Sequence, residues 1–406
     1  MTDDDDSIVT SSQGASGNDR YDEETTTGWG GRIGESLKGL LFGIVLSVCA
    51  GMLLFWNEGR TVKMTQALDE TSGILVSLQT PAVEPSNNGK PVYVTGDAAT
   101  VEVLADKSFG VSANAIRLRR TVEIYQWKEE QKTETTKNLG GSSTKHTTYT
   151  YTKAWSDHLK SSSSFKKPED HANPAQVAYS TQDFWANEVK LGAFNLPRSL
   201  MEKLTNFESL PMAASLTEKM PAPLRSQAQV LGDWCYLGNP QAPGIGDLRV
   251  KFEIIRPGTM SIVARQVQNT FEPYTASSGK TVELIEPGVH SRDSMFTDAK
   301  NENKMIAWVL RAVGAVCIFI GIFLILRPFS VILDVVPLIG NIAEFGTGLT
   351  AMVIALVLSL LIIAVAWFSY RPLLSVGLIG AAVVSILLIG MAKKRRTTGM
   401  QSRRPM

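Results

Sequence analysis

The chain has 406 residues, 44% of them hydrophobic, and a formal net charge of +1 at pH 7. Nucleic-acid binding needs a concentrated basic surface. A net charge this close to zero gives no reason to expect such a surface. Of three cysteines only Cys235 lies in the polar middle of the chain, which excludes an internal disulfide there. We interpret this thiol as a small buried side chain.

The first 36 residues, Met1–Ser36, are predicted to form a disordered, acidic, cytoplasmic tail. Up to about Thr27 this segment is rich in Asp, Glu, Ser, Thr and Gly, so it offers almost nothing for a hydrophobic core. The acidic run Asp3–Asp6 is interpreted as solvated rather than metal-binding.

The next segment, Leu37–Trp56, is apolar apart from Lys38 and is predicted to be the first transmembrane helix. Twenty helical residues rise about 30 Å, which matches the hydrocarbon core of a bilayer. A long polar tail precedes the segment and no small-residue cleavage site follows it, so we interpret it as a retained anchor.

Small residues recur at every fourth position of this helix, namely Gly39, Gly43, Ser47 and Gly51. Such a stripe lets helix backbones approach closely in lipid. Two interpretations stay open: packing against the other helices of the same chain, which we prefer slightly, and self-association between copies.

The long polar middle, Asn57–Lys304, is predicted to form a β-rich extracytoplasmic domain with a helical insert. A helix is expected over Val62–Leu78, and a short helix is expected after Pro197. Alternating apolar residues and turn signals predict strands. The predicted strands are Val92–Thr95, Val101–Leu104, Ala115–Trp127, Thr133–Lys137, Thr144–Lys153, Asp233–Leu237, Asp247–Ile255, Ser261–Val267 and Thr281–Ile285.

Three further transmembrane helices are predicted at Met305–Leu326, Phe345–Phe368 and Pro372–Met391. The apolar connector Arg327–Glu344 is too interrupted to span alone and is predicted to be a cytoplasmic interfacial or re-entrant piece. The fold class is therefore a membrane α+β protein: four transmembrane helices, with the β-rich domain between the first two.

Two charged residues in the membrane region need partners or solvent. Arg311 lies about two turns inside the second predicted span, where a charge is costly unless it snorkels or pairs. Asp334, in the connector, is expected either to pair with Arg311 or Arg327 or to be capping or solvated, and we favour capping or solvation.

Orientation follows from the basic tail Ala392–Met406. Lys393, Lys394, Arg395 and Arg396 directly follow the fourth predicted span, which places the C-terminus in the cytoplasm. An even number of spans then places the N-terminus there too.

No motif for catalysis, phosphate binding or a cofactor was found, and the four histidines lack metal-ligand spacing. We therefore predict no cofactor, no metal site and no enzymatic activity. A reactive Cys235 is disfavoured because nearby Asp233 would oppose formation of the thiolate. The arginines Arg117, Arg119, Arg120 and Arg249 are interpreted as paired strand residues, with ligand recognition as the less favoured alternative.

Several sequence blocks, in the same order along nearly the whole chain, resemble the LUMA family of four-pass membrane proteins, also called the transmembrane protein 43 family. These blocks are Asn57-Glu-Gly-Arg60, Ile116-Arg-Leu-Arg-Arg120, Val122-Glu123 with Tyr125, Gln126 and Trp127, Gly246-Asp-Leu-Arg-Val250, Val263-Ala-Arg-Gln266, Trp308 with Leu310-Arg311-Ala312, and Tyr370-Arg-Pro372.

The resemblance implies cytoplasmic termini, a large lumenal domain and no known catalytic residues. It implies the endoplasmic reticulum and inner nuclear membrane in a eukaryote, and the inner (cytoplasmic) membrane in a bacterium. The leading functional hypothesis is a non-enzymatic scaffold that sits in membrane lipid and assembles copies or partner membrane proteins. The alternatives are a ligand- or lipid-binding sensor and, third, an unrecognised membrane enzyme.

Overall fold

The computed structural model describes residues 7–12, 19–211, 220–334 and 337–372. These residues belong to two compact units. We call the first the β-unit; it comprises the described residues within 1–28, 67–138 and 142–299. We call the second the helical unit; it comprises the described residues within 29–66, 139–141 and 300–372. The predicted fourth span beyond Pro372, the basic cluster Lys393–Arg396 and the C-terminal tail lie outside the described residues.

Within the part of the chain that the structure describes, three long helices are apolar enough to cross a membrane. The first helix continues past Trp56, as the apolar spacing after that residue predicted. The second and third include the predicted spans Met305–Leu326 and Phe345–Phe368. With the two short helices of the β-unit, the helices described are α1 (Trp29–Ile74), α2 (Arg198–Glu202), α3 (Ala222–Arg225), α4 (Arg292–Leu333) and α5 (Pro337–Tyr370).

The predicted connector Arg327–Glu344 is not a separate element in the structure. Helix α4 continues through its first part to Leu333, and α5 begins at Pro337. Proline suits the first position of a helix because its missing N–H would have no partner there.

The N-terminal region also differs from the predicted disorder. Ser7–Ser12 and Arg20–Thr27 are strands, and helix α1 begins at Trp29. Composition alone indicated disorder because this segment has almost no apolar residues. Its order comes from pairing with a strand more than a hundred residues away, which composition does not report.

Among the described residues, the larger sheet of the β-unit has nine strands and includes both strands that precede α1. Its members are β1 (Ser7–Ser12), β2 (Arg20–Thr27), β7 (Arg117–Lys137), β8 (Ser143–Ser156), β9 (Gln182–Trp185), β12 (Glu208–Leu210), β13 (Ala228–Leu231), β14 (Trp234–Leu237) and β15 (Leu248–Ile255). The strand order is β1-β2-β8-β7-β15-β14-β13, with β9 also on β7 and β12 also on β15.

The second sheet has seven strands, and two small two-stranded sheets accompany it. Its strands are β3 (Val76–Ser77), β4 (Pro91–Ala99), β10 (Lys190–Leu191), β11 (Phe194–Asn195), β16 (Gly258–Val267), β17 (Thr270–Glu272) and β20 (Leu284–Pro287). The small sheets pair β5 (Val103–Asp106) with β6 (Val111–Asn114) and β18 (Tyr274–Thr275) with β19 (Thr281–Val282).

Alternation along β7 and β15 builds the core of the β-unit. Val122 and Ile124 of β7 are buried, as are Val250 and Phe252 of β15, and the antiparallel register places Val122 opposite Val250 and Ile124 opposite Leu248. Apolar residues at every second position point to one face of a sheet, so they pack together on that face. Burying one such large side chain contributes about 2–3 kcal/mol.

Candidate functional site

Helix α1 carries a carboxylate immediately after its apolar segment. Glu58 is fully buried, and both of its oxygens accept hydrogen bonds from the guanidinium of Arg311 on α4. The Nε–Oε1 distance is 2.6 Å and the Nη2–Oε2 distance is 2.8 Å. A planar guanidinium matches a carboxylate in this two-point arrangement, so the pair fixes direction as well as charge.

The same carboxylate also reaches the third helix. Trp367 of α5 donates its indole N–H to Glu58 Oε2 at 2.8 Å. One side chain on α1 is therefore bonded to both α4 and α5. A buried charge that loses one partner is left uncompensated, so this group makes all three helices depend on one another.

The next residue of α1, Gly59, lies against the ring of Tyr370 on α5. A Cβ placed on Gly59 would lie 2.5 Å from Cζ of Tyr370, which is closer than carbon atoms approach. The Tyr370 ring packs on Phe55, with ring centroids 5.5 Å apart. Glycine in the middle of a helix lowers the stability of the helix. Here the absence of a Cβ lets the tyrosine of α5 lie against the α1 backbone.

Two amides fasten α1 to α4 beside the ion pair. The buried Asn57 donates from Nδ2 to the carbonyl of Ala307 at 3.1 Å, and the buried Asn303 donates in the opposite direction to the carbonyl of Thr61 at 3.0 Å. We call the set Asn57, Glu58, Gly59, Asn303, Arg311, Trp367 and Tyr370 the polar junction.

A second set of polar contacts lies near the first turn of α1. Arg32 forms an ion pair with Asp334, which follows α4 and is buried. Trp29 donates from its indole to the carbonyl of Val331 at 3.1 Å. The preferred interpretation of Asp334 as capping or solvated is wrong. The ion-pair partner Arg32 was not among the arginines considered, and Arg311 is bound to Glu58 instead.

The small-residue stripe of α1 packs within the chain. A Cβ on Gly43 would lie 2.5 Å from the carbonyl oxygen of Gly321 on α4, and a Cβ on Gly321 would lie closer still to Oγ of Ser47. A Cβ on Gly51 would lie 3.3 Å from Ile362 of α5, and one on Gly39 would lie 3.7 Å from Leu324. These positions therefore lie against α4 and α5 of the same chain.

All four arginines singled out in the β-unit have acidic partners. Arg117 and Arg119 share Asp183, Arg120 pairs with Asp106, and Arg249 pairs with Glu123. Trp185 lies between the guanidinium groups of Arg117 and Arg198, 4.1 and 3.6 Å from its ring centroid. These arginines hold neighbouring strands together, as the structural interpretation predicted.

Cys235 is buried within the β-unit core, and burial raises the pKa of its thiol to about 11. A thiol that stays protonated at neutral pH is a poor nucleophile. Among the residues that the structure describes, no group of three or more His, Cys, Asp or Glu side chains is arranged to hold a metal ion.

The polar junction unites three of the sequence blocks quoted above. Asn57-Glu-Gly-Arg60, the Trp308–Arg311 segment and Tyr370 lie far apart in sequence and meet at one place. Sequence reasoning expected Arg311 to snorkel or to pair and considered Asp334 as its partner, but it did not consider Glu58. A usable signal was present, because an acid at the edge of one span and a base inside another each need a partner.

Long apolar helices joined by a buried charge network, with most of a β-rich region between the first helix and the later ones, define an integral multi-pass membrane protein. The family model described as Transmembrane protein 43 matches residues 124–372. The chain belongs to this family, which is the LUMA family of the sequence resemblance.

Relatives with this description align over most of their length. The chain is 32% identical to Transmembrane protein 43 of Homo sapiens and of Rattus norvegicus over 370 residues, which is 88% of this chain and 90% of each relative. It is 30% identical to the Transmembrane protein 43 homolog of Drosophila melanogaster over 346 residues, covering 82% and 89%. No solved structure matches the chain.

Proposed function

We propose that the protein is a non-enzymatic membrane scaffold that assembles copies of itself or partner proteins through its β-unit and its transmembrane helices. The supporting observation is the polar junction. Glu58, Arg311 and Trp367 are all committed to bonds between helices. Groups used in this way build a rigid bundle, whereas a transport path or catalytic site needs charged groups that face a substrate.

The helices also retain apolar surface for lipid or for other helices. On α1, Leu41 and Val45 are about 60% or more exposed, and on α5 Leu356 and Leu360 are similarly exposed. Because the small-residue stripe faces inward, contacts between copies are assigned to these larger side chains or to the β-unit. We further propose the family's setting, with cytoplasmic termini, in the endoplasmic reticulum and inner nuclear membrane of a eukaryote or the inner membrane of a bacterium.

Crosslinking of the full chain in native membranes tests the scaffold. Wild type is expected to give discrete species larger than one chain. Glu58→Gln, which removes the charge while keeping the shape, is expected to weaken them. Glu302→Gln is the matched control, because Glu302 is an exposed carboxylate on the same helix as Arg311. A strictly monomeric wild type with no crosslinked partner would refute the proposal.

Ligand capture is a second candidate, favoured by a cleft in the β-unit. The cleft has a volume of about 610 Å³, within the range of small-molecule sites. Its walls combine apolar and polar side chains, among them Tyr179, Leu224, Gln227, Leu237 and Asp247.

Titration of the purified full chain with a fluorescent fatty acid tests this second candidate. Saturable binding that Leu237→Trp abolishes would support ligand capture, because the larger ring fills the cleft. Val289→Trp, at a side chain that is 78% exposed, is the control. Binding that both variants retain would place the probe elsewhere and count against the cleft.

A further inference from the structure

Strand β2 precedes the first membrane helix, yet it lies in the same sheet as strand β8, which follows that helix by about seventy residues. The two strands are antiparallel and in register over eight residue pairs, from Arg20 with Thr150 to Thr27 with Ser143. Continuous pairing of this length is a structural connection, because every backbone group between the strands finds its partner in the other.

Side chains hold β2 in place as well. Tyr21 is buried, and Glu23 Oε1 lies 2.7 Å from Nζ of Lys166. Thr148 donates to Asp22 Oδ1 at 2.5 Å. The acidic side chains of β2 therefore bind basic and hydroxyl groups of the neighbouring segments. These contacts fix the position of β2 in the sheet.

The loop that joins β7 to β8 belongs to the helical unit and contacts the start of α1, which is a second and independent observation. The carbonyl of Gly141 accepts a hydrogen bond from Nη1 of Arg32 at 2.6 Å. Gly141 has φ of +83°, and a Cβ there would lie 2.5 Å from Cδ1 of Trp29. The tip of the hairpin is thus packed against the first turn of α1, ahead of the apolar segment Leu37–Trp56.

We propose that the N-terminal strand and the tip of the β7–β8 hairpin lie on the same side of the membrane. Helix α1 crosses the bilayer through Leu37–Trp56, so everything before Leu37 is on one side. A strand paired over eight residues cannot have its partner across a bilayer. The sequence predicted that all of Asn57–Lys304 lies on the side opposite the N-terminus. In this proposal the tip of the hairpin lies instead on the same side as the N-terminus.

The hairpin has the length and the chemistry for this placement. The 21 residues of β7 extend about 70 Å at roughly 3.3 Å per residue, more than twice the thickness of the hydrocarbon core. Its second half, Lys128–Lys137, is polar on both faces. Strands of this kind cannot face lipid, so at membrane depth they need protein or water around them.

Disulfide trapping in native membranes tests the pairing. Thr26 and Thr144 are register partners with hydroxyl oxygens 3.1 Å apart. In a chain whose three native cysteines are replaced by alanine, Thr26→Cys with Thr144→Cys is expected to crosslink under mild oxidation. Thr26→Cys with Thr150→Cys is the control, since six residues of register separate the two by about 20 Å. A crosslink in the control but not in the register pair would overturn the pairing.

Labelling of single cysteines with an impermeant maleimide tests the side directly and stays informative if a double variant misfolds. Arg20→Cys and His146→Cys are at exposed positions of β2 and β8. Both are expected to react in sealed cells, or both only after permeabilisation. Reaction of one in sealed cells and of the other only after permeabilisation would overturn the proposal, whatever the result for the scaffold function.

Discussion

Glu58 and Arg311 are 253 positions apart in the sequence, and their side chains form a two-point ion pair between helices α1 and α4. Only 1% of the Glu58 side chain and 17% of the Arg311 side chain are exposed. The pair lies where the first apolar segment ends, and its carboxylate also binds Trp367.

Removing one charge of the pair should destabilise the protein more than removing both. Arg311→Leu leaves Glu58 buried without a counter-charge, and the expected loss is about 3–5 kcal/mol of unfolding free energy. In the double variant Glu58→Leu with Arg311→Leu, apolar side chains replace both ions and much of the loss should be recovered. Thermal unfolding of the detergent-solubilised protein measures both; equal losses in the single and double variants would contradict the prediction.

Gly59→Ala should destabilise the bundle because the new methyl group would overlap the Tyr370 ring. Overpacking of this kind costs about 1–3 kcal/mol. Gly73→Ala on the same helix is the control, because a Cβ there meets nothing within 4 Å, and it should leave stability unchanged or raise it by up to about 1 kcal/mol. Adding Tyr370→Ala to Gly59→Ala should relieve the overlap, as judged by the midpoint of thermal unfolding.

Acid should weaken the β-unit through Asp183. Burial raises the pKa of this carboxyl, but hydrogen bonds from Arg119 and Arg117 outweigh burial and hold the pKa below its usual value. A folded-state pKa below the unfolded one stabilises the protein above the unfolded pKa, near 3.9, and this contribution is lost as the pH falls through the folded pKa.

Asp183→Asn should therefore be less stable than wild type at pH 7, and the difference should shrink below about pH 4. Denaturant unfolding at several pH values measures it. Glu208→Gln removes an exposed carboxylate and is the control. A stability difference between Asp183→Asn and wild type that stays constant from pH 7 to pH 3 would show that Asp183 does not carry the acid sensitivity.

Cys235 should resist alkylation in the folded protein. Its thiol is buried and burial raises its pKa to about 11, so at pH 8 very little thiolate is present or accessible. In a chain with Cys49→Ala and Cys317→Ala, iodoacetamide should label Cys235 only after denaturation, as followed by intact mass. Rapid labelling of the native chain would indicate an open, reactive thiol instead.

The sequence predicted those parts of the fold that local patterns encode. The apolar runs located the three described membrane helices, and alternation located β7 and β15, though Ala115–Trp127 and Thr133–Lys137 proved to be one continuous strand. Strand β2 was missed because its stability depends on a partner at Ser143–Thr150. No local pattern reports such a contact.

The candidate site was predicted only in fragments. Arg311 and Asp334 were recognised as charges that need partners, but their partners Glu58 and Arg32 lie in α1, close to the two ends of its apolar segment. Periodicity places a residue on a helix face and does not say which residue of another helix lies opposite. Pairing between distant helices depends on packing, which becomes visible only in three dimensions.

The polar junction also has a consequence for the order of biosynthesis. Glu58 leaves the ribosome early, and its two partners follow only after roughly 250 and 310 further residues have been made. During that interval the carboxylate must stay hydrated at the membrane edge. A nascent chain that has been made only as far as α4 can form the ion pair with Arg311 but still lacks the indole of Trp367, so the junction is completed only when α5 has been added.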